Sequence, residues 1–545
     1  MEIGIQSWII LIPPLLAIFF TFLTHRPLLS LFIGIFSASA IINNFSIYKT
    51  IAIIPQKFIY STELDSIFSW QTFLENKNLF IILFLFILGI IISLIKHSGG
   101  IYAYTNFVSK KFKDAKKAQY GAVGLSVLLG IDDYFSCLTT GSVMTSIFDR
   151  LKLPRVKLAF IVDVIAAPIC ALIPISVWFA AIDSSLQKAG ISDKITSATI
   201  ISSDSFWVYL NSILFYFYPV IVLLSVFYII SQNISFGPMG RQEEIALKTG
   251  NLYGGKKALD ESHVKHLENK NGSIFDFILP MLILVLFVVF GIFYSGDFYI
   301  LGGKNYFIEA LKQANIYVVL FYSSMLTMLL SAVYFIFLKK IKFKQILFII
   351  WDGVQMMQAP ILILILAWTF SDMLKNDLCV GGYLSQLLVG RVNVNFLPPI
   401  LFVLATLCSF VMGSSWGAIA ILIPMVVPMI PQFLHYHTPV DINNILILYP
   451  IIGSIISGSI IGDHISPLAD TTVLASGATK SYHLDHVKTQ TVYLIPLFVT
   501  TLLSYFLSGI LIKYGKFIAI FIPLLVGVLA SFILLYFCNY FANKK

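Results

Sequence analysis

The chain has 545 residues, of which 58% are hydrophobic and only 12% are charged, and its mean hydropathy is +0.88. Soluble proteins carry about 25% charged residues, so this composition excludes a soluble protein and predicts a polytopic all-α membrane protein. The formal net charge of +9 indicates basic cytoplasmic loops and not a nucleic-acid surface. Five scattered cysteines without a CxxC pair give no disulfide or zinc signal.

Apolar segments long enough to enter or cross a bilayer recur along the whole chain. The first lacks a basic n-region and is expected to be a retained helix. The longest polar stretch, 233–274, is too short to bury a core and is predicted to be a cytoplasmic loop. The apolar segments lie near 5–24, 28–44, 78–95, 118–149, 158–182, 206–232, 275–295, 314–338, 346–370, 396–433, 443–479, 489–512 and 517–540.

Segment 118–149 is unusual because lysine and arginine patches flank it on both sides, at 110–117 and 150–157. Both ends should therefore be cytoplasmic. Its 32 residues are too few for two full spans of about 20 residues each plus a turn, so a re-entrant hairpin is predicted. Asp132 and Asp133 lie near its tip, and no other charge occurs between 118 and 148. Non-helical backbone at that depth must be enclosed by protein or by a wet cavity.

Glycine anchors point to an internal repeat. Gly99-Gly100 corresponds to Gly381-Gly382 at an offset of 282, and Gly130 corresponds to Gly413 at 283. The charge pattern gives the two halves, 1–232 and 275–545, opposite orientations. Inverted repeats with broken helices that meet near the bilayer midplane are typical of secondary transporters.

Polar residues mark further breaks. The second hairpin is predicted at 396–433, and interrupted helices are predicted at 158–182 and 443–479. Carbonyls freed at proline and glycine, together with hydroxyls and carboxylates, form an oxygen set suited to Na⁺. The predicted ion ligands are Asp132, Asp133, Asp163, Ser414, Ser415, Asp463, Asp470 and Thr471. Further residues predicted to contact substrate or couple protons are Ser136, Ser176, Gly413, His464 and Ser466.

Each of these residues also has a purely structural interpretation. One acid of the Asp132-Asp133 pair could cap a half-helix, and Asp163 could pair with Lys157. An interior histidine such as His464 can simply be hydrogen-bonded, and tryptophans most often pack. Against this, a charge inside the membrane costs about 2.5–3.5 kcal/mol on insertion scales, which favours function for the aspartates.

Other classes of protein find little support. The sequence has no GxxxxGK[ST] phosphate loop, no HExxH, no GxSxG and no dinucleotide fingerprint, so neither an ATP-driven pump nor a common enzyme is indicated, and no cofactor is expected. Two alternatives stay open: an intramembrane aspartyl protease with Asp132 and Asp463 as its dyad, and a passive channel.

Six motifs in order along the chain together resemble the NhaC family of sodium/proton antiporters. They are "GIDDYFSCLTTGSVM" (130–144), "KLAFIVDVIAAPICALIPISVW" (157–178), "FGPMGRQEE" (236–244), "MGSSWGAIAILIP" (412–424), "GDHISPLADTTVLASGA" (462–478) and "DHVKTQTVYLIP" (485–496). The resemblance implies the ion-transporter superfamily fold, with two inverted repeats that each carry a hairpin and a broken helix. It also suggests a homodimer.

The resemblance implies exchange of Na⁺, with Li⁺ as an alternative ion, for H⁺ across the cytoplasmic membrane by alternating access. It places the family's polar sites on Asp132, Asp133, Asp163, Ser414, Ser415, Asp463, His464 and Asp470. Proteins with such motifs also include exchangers of organic acids and amino acids. A Na⁺- or H⁺-coupled transporter of a small organic acid or amino acid is therefore the alternative function.

Overall fold

The structure is a computed structural model in which regular elements are almost all helical. The described residues are 8–24, 27–62, 77–100, 102–103, 114–130, 132–174, 176–196, 198–258, 272–306, 310, 314–379, 392–467 and 469–544. Within them, the strands are three two-residue pieces, which agrees with the predicted all-α class. They are β1 (Ile191–Ser192), β2 (Ile201–Ser202) and β3 (Val440–Asp441), paired in parallel in the order β1-β2-β3.

Most helices follow the predicted apolar segments, with additional breaks, but two helices, Ile47–Thr62 and Gly237–Thr249, form outside those segments. The first eleven are α1 (Ile12–Thr24), α2 (Pro27–Ile42), α3 (Ile47–Thr62), α4 (Lys77–Ser98), α5 (Ala115–Leu128), α6 (Asp133–Arg150), α7 (Arg155–Leu172), α8 (Val177–Lys188), α9 (Ser205–Ile213), α10 (Phe217–Gln232) and α11 (Gly237–Thr249). The others are α12 (Phe275–Ser295), α13 (Ile316–Phe337), α14 (Ile346–Asp372), α15 (Leu397–Met412), α16 (Ser415–Val426), α17 (Met429–Phe433), α18 (Leu448–Ile465), α19 (Asp470–Ala478), α20 (His483–Leu511) and α21 (Lys516–Asn543).

Seven helical stretches in the described ranges are long and apolar enough to cross a membrane. They are Asn78–Ser98, Ser205–Thr249, Phe275–Ser295, Tyr317–Phe337, Leu448–Ile465, His483–Tyr514 and Lys516–Ala542. Shorter apolar helices, such as α16, accompany them. The chain is therefore a multi-pass membrane protein, as the composition predicts.

Each segment predicted to contain a hairpin or a broken helix is interrupted by non-helical backbone. The described residues at these interruptions are 129–130 and 132, 173–174 and 176, 413–414, and 466–467 and 469. Gly413 marks one of them with a left-handed backbone, φ +61°, which glycine adopts without strain. The inverted repeat and the re-entrant course of the hairpins remain predictions, and Gly381-Gly382 lie outside the described residues.

Residues 233–258 of the polar stretch predicted as a cytoplasmic loop contain α11 and contact α7 and α20. Lys157 pairs with Glu243 of α11, and Lys256 pairs with Asp485 at 2.7 Å. Arg155 forms two hydrogen bonds to Asp149. The pairing of Lys157 with Glu243 accounts for its charge without Asp163, so the structural interpretation of Asp163 as its partner is wrong.

The chain divides into two compact units, 1–58 with 114–259 and 366–545, and 59–113 with 260–365. The first unit contains all four helix breaks. Within the second unit, α4 is mostly buried and Asp276 is fully enclosed. Asp276 accepts hydrogen bonds from the Ser273 amide at 2.6 Å and the Tyr334 hydroxyl at 3.2 Å. These two units do not coincide with the predicted halves, 1–232 and 275–545, because each unit contains residues from both halves. The halves were predicted from an internal repeat, and that repeat remains a prediction.

The core of the first unit is built around α18, in which every residue from Leu448 to His464 is buried. A helix that is apolar and buried all round belongs at the centre of a domain. Glycines let α15 approach α18 closely. A β-carbon at Gly462 would lie 2.8 Å from the Ser409 β-carbon and would also meet the carbonyl oxygen of Thr406. Tight backbone packing therefore holds α18 at Asp463, just before the break that begins at Ser466.

Gly462→Ala is expected to lower the free energy of unfolding by about 1–3 kcal/mol, because the added methyl group overpacks against the backbone of α15. Gly477→Ala is the matched control, since a β-carbon there meets nothing within 4 Å. It should be neutral or stabilising by up to about 1 kcal/mol, because alanine favours helix. Thermal unfolding of the detergent-solubilised variants measures both. Equal midpoints would contradict the packing argument.

Candidate functional site

The first broken helix supplies a capped half-helix to the interior. α7 ends at Leu172, and α8 begins at Val177 after the break that contains Pro174. The Ser176 hydroxyl accepts a hydrogen bond from the Phe179 amide at 3.2 Å and so caps α8. Ser176 is buried, and its predicted contact with substrate stays a prediction.

Asp133 is held at the neighbouring break, where α6 begins. Its Oδ1 accepts a hydrogen bond from the Tyr134 amide at 3.1 Å, and its Oδ2 accepts one from the Trp178 indole at 3.0 Å. Asp132 and Asp133 are both buried. A negative charge at the N-terminus of a helix is stabilised by the helix dipole. The capping interpretation and a functional one are both compatible with Asp133.

The second predicted hairpin presents a similar half-helix. Ser414 caps α16 by accepting a hydrogen bond from the Gly417 amide at 3.4 Å. Trp416 in its first turn packs on Trp178 in the first turn of α8, with ring centroids 5.7 Å apart. The two tryptophans therefore bring together two serine-capped half-helices from the two predicted repeats.

Asp463 joins the second hairpin to the second broken helix. Its Oδ1 accepts a hydrogen bond from the Ser415 amide at 3.1 Å, and its Oδ2 accepts one from the Thr471 hydroxyl at 2.7 Å. The Ser415 hydroxyl in turn donates to the Ser459 carbonyl at 3.1 Å. Three predicted ligands, from two different breaks, thus meet at one carboxylate.

Asp163 lies in a separate group of polar side chains, where its Oδ2 accepts three hydrogen bonds. The donors are the Thr472 hydroxyl at 2.9 Å, the Gln490 amide at 2.6 Å and His486 Nε2 at 3.3 Å. All four side chains are fully buried. A buried carboxylate with these donors is well stabilised in its ionised form.

His464 stands beside this group. Its Nδ1 is hydrogen-bonded to the Tyr218 hydroxyl at 2.7 Å, and its carbonyl accepts from Gln490 Nε2 at 2.6 Å. Four buried polar atoms here have no hydrogen-bond partner within the described part of the chain: Asp163 Oδ1, His464 Nε2, His486 Nδ1 and Gln490 Oε1. Buried polar atoms are normally bonded, so the group is suited to a small polar ligand.

The hydrogen-bonded groups around Asp463 and around Asp163 lie in the same region of the first unit. The buried Cys137 thiol in α6 lies within electrostatic range of Asp163, Asp133, Asp132 and Asp463. Cys137 was not predicted as a site residue, and its relevance is only that it lies near all four aspartates. The aspartates predicted from three different segments therefore converge around the N-terminal half of α6.

Other predicted residues have different positions. Ser136 donates to the Ser126 carbonyl at 3.1 Å, a bond between α5 and α6. Ser466 is buried in the second break, and its amide donates to the Asp463 carbonyl at 3.0 Å. Asp470 is the first residue of α19, and its side chain lies outside the described residues.

Sequence reasoning missed His486 and Gln490 as individual site residues. They stand four apart near the start of α20 and so share one helical face. That spacing of two polar residues inside a membrane segment is the signal that could have identified them. Tyr218, a tyrosine in a long apolar run, gives no comparable signal.

The oxygen chemistry at Asp463 is suited to a hard cation. The Asp463 carboxylate contacts the Thr471 hydroxyl, and carboxylate and hydroxyl oxygens suit alkali and alkaline-earth ions. Among the described residues, no group of three or more His, Cys, Asp or Glu side chains has metal-binding geometry. Carboxylates buried at helix breaks in a multi-spanning chain define the class: a membrane transporter.

The chain belongs to the Na⁺/H⁺ antiporter family, whose sequence model matches residues 186–510. This confirms the family predicted from the motifs, and a member of a transporter family is not an enzyme, which sets the protease alternative aside. An uncharacterized protein of Haemophilus influenzae is 28% identical over 501 residues, covering 92% of this chain and 90% of that protein.

The chain is also similar to a curated transporter and to a solved transporter structure. The malate-2H⁺/Na⁺-lactate antiporter of Bacillus subtilis is 32% identical over 149 residues, covering 25% of this chain and 29% of that protein. The crystal structure of the Alcanivorax borkumensis YdaH transporter matches with a TM-score of 0.51 at 13% identity, covering 87% of this chain and 88% of that one. At that identity the match shows a shared transporter fold alone.

Proposed function

We propose that this protein exchanges Na⁺ for H⁺ across the cytoplasmic membrane by alternating access. The observation that carries the proposal is the environment of Asp463, whose two oxygens accept hydrogen bonds from separate helix breaks, one from Ser415 and one from Thr471. Each carboxylate oxygen has more than one lone pair, so a carboxylate can accept hydrogen bonds and bind a cation together. Membership of the antiporter family supports the same exchange.

Competition for carboxylates provides the coupling. Na⁺ and H⁺ bind to the same acids, Asp132, Asp133 and Asp463, so that one ion must leave before the other arrives. Asp132 and Asp133 are adjacent and buried, so the charge of one affects ion binding at the other. The carboxylates carry Na⁺ in one direction and H⁺ in the other. Each ion can bind only after the other has been released, so transport of the two ions is an exchange.

Neutral oxygens complete the ion's shell. The Thr471 hydroxyl donates a hydrogen bond to Asp463, and the lone pairs of its oxygen can bind a cation. Ser414 and Ser415, Asp470, and the carbonyls freed at the breaks supply further ligands. The hairpins at 118–149 and 396–433 bring these groups to the bilayer midplane as inverted repeats, and one bundle moves relative to a fixed scaffold, in a homodimer.

A second candidate function is coupled exchange of a small organic acid. The partial similarity to a malate-2H⁺/Na⁺-lactate antiporter favours it. So does the meeting of two serine-capped half-helices at Trp178 and Trp416, because helix N-termini attract carboxylates. In this version the same aspartates bind Na⁺ or H⁺ while the organic anion binds at the helix ends.

The purified protein in liposomes with an imposed pH gradient tests both functions. Na⁺ and Li⁺ are expected to dissipate the gradient, whereas K⁺ is not. If neither ion does so at any pH from about 6.5 to 9, the exchange is disproved. Uptake of labelled malate, lactate and amino acids, with and without a Na⁺ gradient, identifies the organic-acid function. Turnover at the slow rates of a carrier separates exchange from a channel.

A further inference from the structure

Asp163 bridges the two sides of the second helix break. Thr472, which donates to Asp163 Oδ2, lies after the break at 466–469. Gln490 Nε2 donates both to the same Oδ2 and to the His464 carbonyl, which lies before the break, with both distances 2.6 Å. Both contacts of this nitrogen are acceptors, which fixes the orientation of the amide. We call Asp163, Thr472 and Gln490 the break clamp.

The break clamp is connected to the Asp463 site through one peptide bond. Thr471 donates to Asp463 Oδ2 at 2.7 Å, and the next residue, Thr472, donates to Asp163 Oδ2 at 2.9 Å. Both threonines lie in the first turn of α19, where successive side chains point about 100° apart. A shift of Thr472 therefore moves Thr471 and changes its distance from Asp463.

The donors on Asp163 leave it little freedom to move. His486 adds a third hydrogen bond to the same oxygen, and His486 and Gln490 project from one face of α20. The clamp residues are fully buried, where a hydrogen bond to a charged group is stronger than at a surface. α20 thereby holds the first broken helix and both ends of the second in one arrangement.

We propose that the break clamp positions Thr471 and thereby sets the Na⁺ affinity of the Asp463 site. This inference rests on the proposed Na⁺/H⁺ exchange. Asp163, Thr472 and Gln490 are positioning residues that act through Thr471, so Asp163 takes a different part from the sodium ligand predicted from sequence. Loosening the clamp weakens Na⁺ binding while the carboxylates that carry the ions remain.

The test compares Na⁺ KM and maximal exchange rate in proteoliposomes. Thr472→Val, which keeps the shape and removes the hydroxyl, is expected to raise the Na⁺ KM about fivefold or more with the maximal rate within about twofold of wild type. Gln490→Leu should do the same. Thr491→Val is the matched control, because the Thr491 hydroxyl donates only to the Val487 carbonyl of its own helix. It should leave KM within about twofold.

A double variant separates positioning from general damage. Asp163→Ala removes the oxygen that Thr472 contacts, so adding Thr472→Val to it should raise KM by less than about twofold more. Asp163→Asn keeps an acceptor oxygen and should retain most of the wild-type affinity. If Asp163→Ala does not fold, Thr472→Val and Asp163→Asn still decide the proposal. Monodispersity on size exclusion identifies misfolded variants.

Several outcomes overturn the inference. An unchanged KM in both Thr472→Val and Gln490→Leu does so, as does a loss of maximal rate at unchanged KM, or a loss in Asp163→Asn as large as in Asp163→Ala. The last result would mean that the charge of Asp163 itself is required. If wild-type protein shows no Na⁺-dependent exchange, the proposed function has failed, which is a different result from exchange that is insensitive to the clamp.

Discussion

Asp463→Asn is expected to reduce Na⁺-dependent proton exchange by about 100-fold or more. Both oxygens of Asp463 accept hydrogen bonds, from the Ser415 amide and the Thr471 hydroxyl. An asparagine has no charge for a cation, and its NH₂ group faces one of these two donors. Hydrogen bonds to charged groups contribute about 1.5–3 kcal/mol each, so losing the charge and one bond accounts for at least about 3 kcal/mol.

The measurement is dissipation of a pH gradient in proteoliposomes, with wild type and variant at equal protein content. Asp441→Asn is the matched control, because Asp441 is exposed and caps a short helical turn by accepting from the Asn443 amide at 2.8 Å. Asparagine caps as well as aspartate, so activity should be retained. An Asp463→Asn protein with activity within about threefold of wild type would remove Asp463 from the mechanism.

The breaks could be predicted from the sequence because they have strong local causes. Gly413 can adopt the left-handed backbone found at one break, Pro174 lacks the amide hydrogen that a helix needs at another, and uncharged stretches around Asp132 and Asp133 reveal buried acids. Asp463 was also predictable, since an Asp-His pair in an apolar run has few structural explanations. These signals act over a few residues, which is the range that a sequence displays directly.

The partners of each acid could not be predicted, because they come from distant parts of the chain. Thr472 and Gln490 are more than 300 residues from Asp163, with separations of 309 and 327. Their meeting depends on how α7, α19 and α20 pack, and packing of apolar helices leaves little trace in local pattern. The sequence likewise suggests the nearby Lys157 as a partner of Asp163, whereas Lys157 pairs with Glu243, which is 86 residues away along the chain.

The contact between Trp178 and Trp416 is a further example. Each tryptophan follows a capping serine by two residues, Ser176 in one case and Ser414 in the other. The two sequences "SVW" and "SSW" show this correspondence once the caps are known, but tryptophan in a membrane segment usually indicates packing or an interface. The structure adds that one of the two indoles bonds an acid, Asp133.

Asp133→Asn is expected to lower the maximal exchange rate by about 100-fold, and Trp178→Phe by about 10-fold. Asp133→Asn removes the negative charge that the N-terminus of α6 stabilises. The Trp178 indole also stabilises this charge, through a hydrogen bond of 3.0 Å to Asp133 Oδ2. The phenylalanine keeps a ring against Trp416 but loses one hydrogen bond to a charged group. Such a bond contributes about 1.5–3 kcal/mol, and we expect a loss near the lower value to raise the barrier to exchange. Trp351→Phe is the control, since Trp351 is 60% exposed and should give wild-type rates.

The double variant Asp133→Asn, Trp178→Phe distinguishes a functional contact from two separate ones. If the indole acts only through the Asp133 carboxylate, its removal matters little once the charge is gone, and the double variant should match Asp133→Asn within about threefold. Multiplying losses would mean that the Trp178 indole contributes through a contact other than the one to the Asp133 carboxylate. Full activity in Asp133→Asn would leave Asp133 as a helix cap, with Asp132 and Asp463 carrying the exchange.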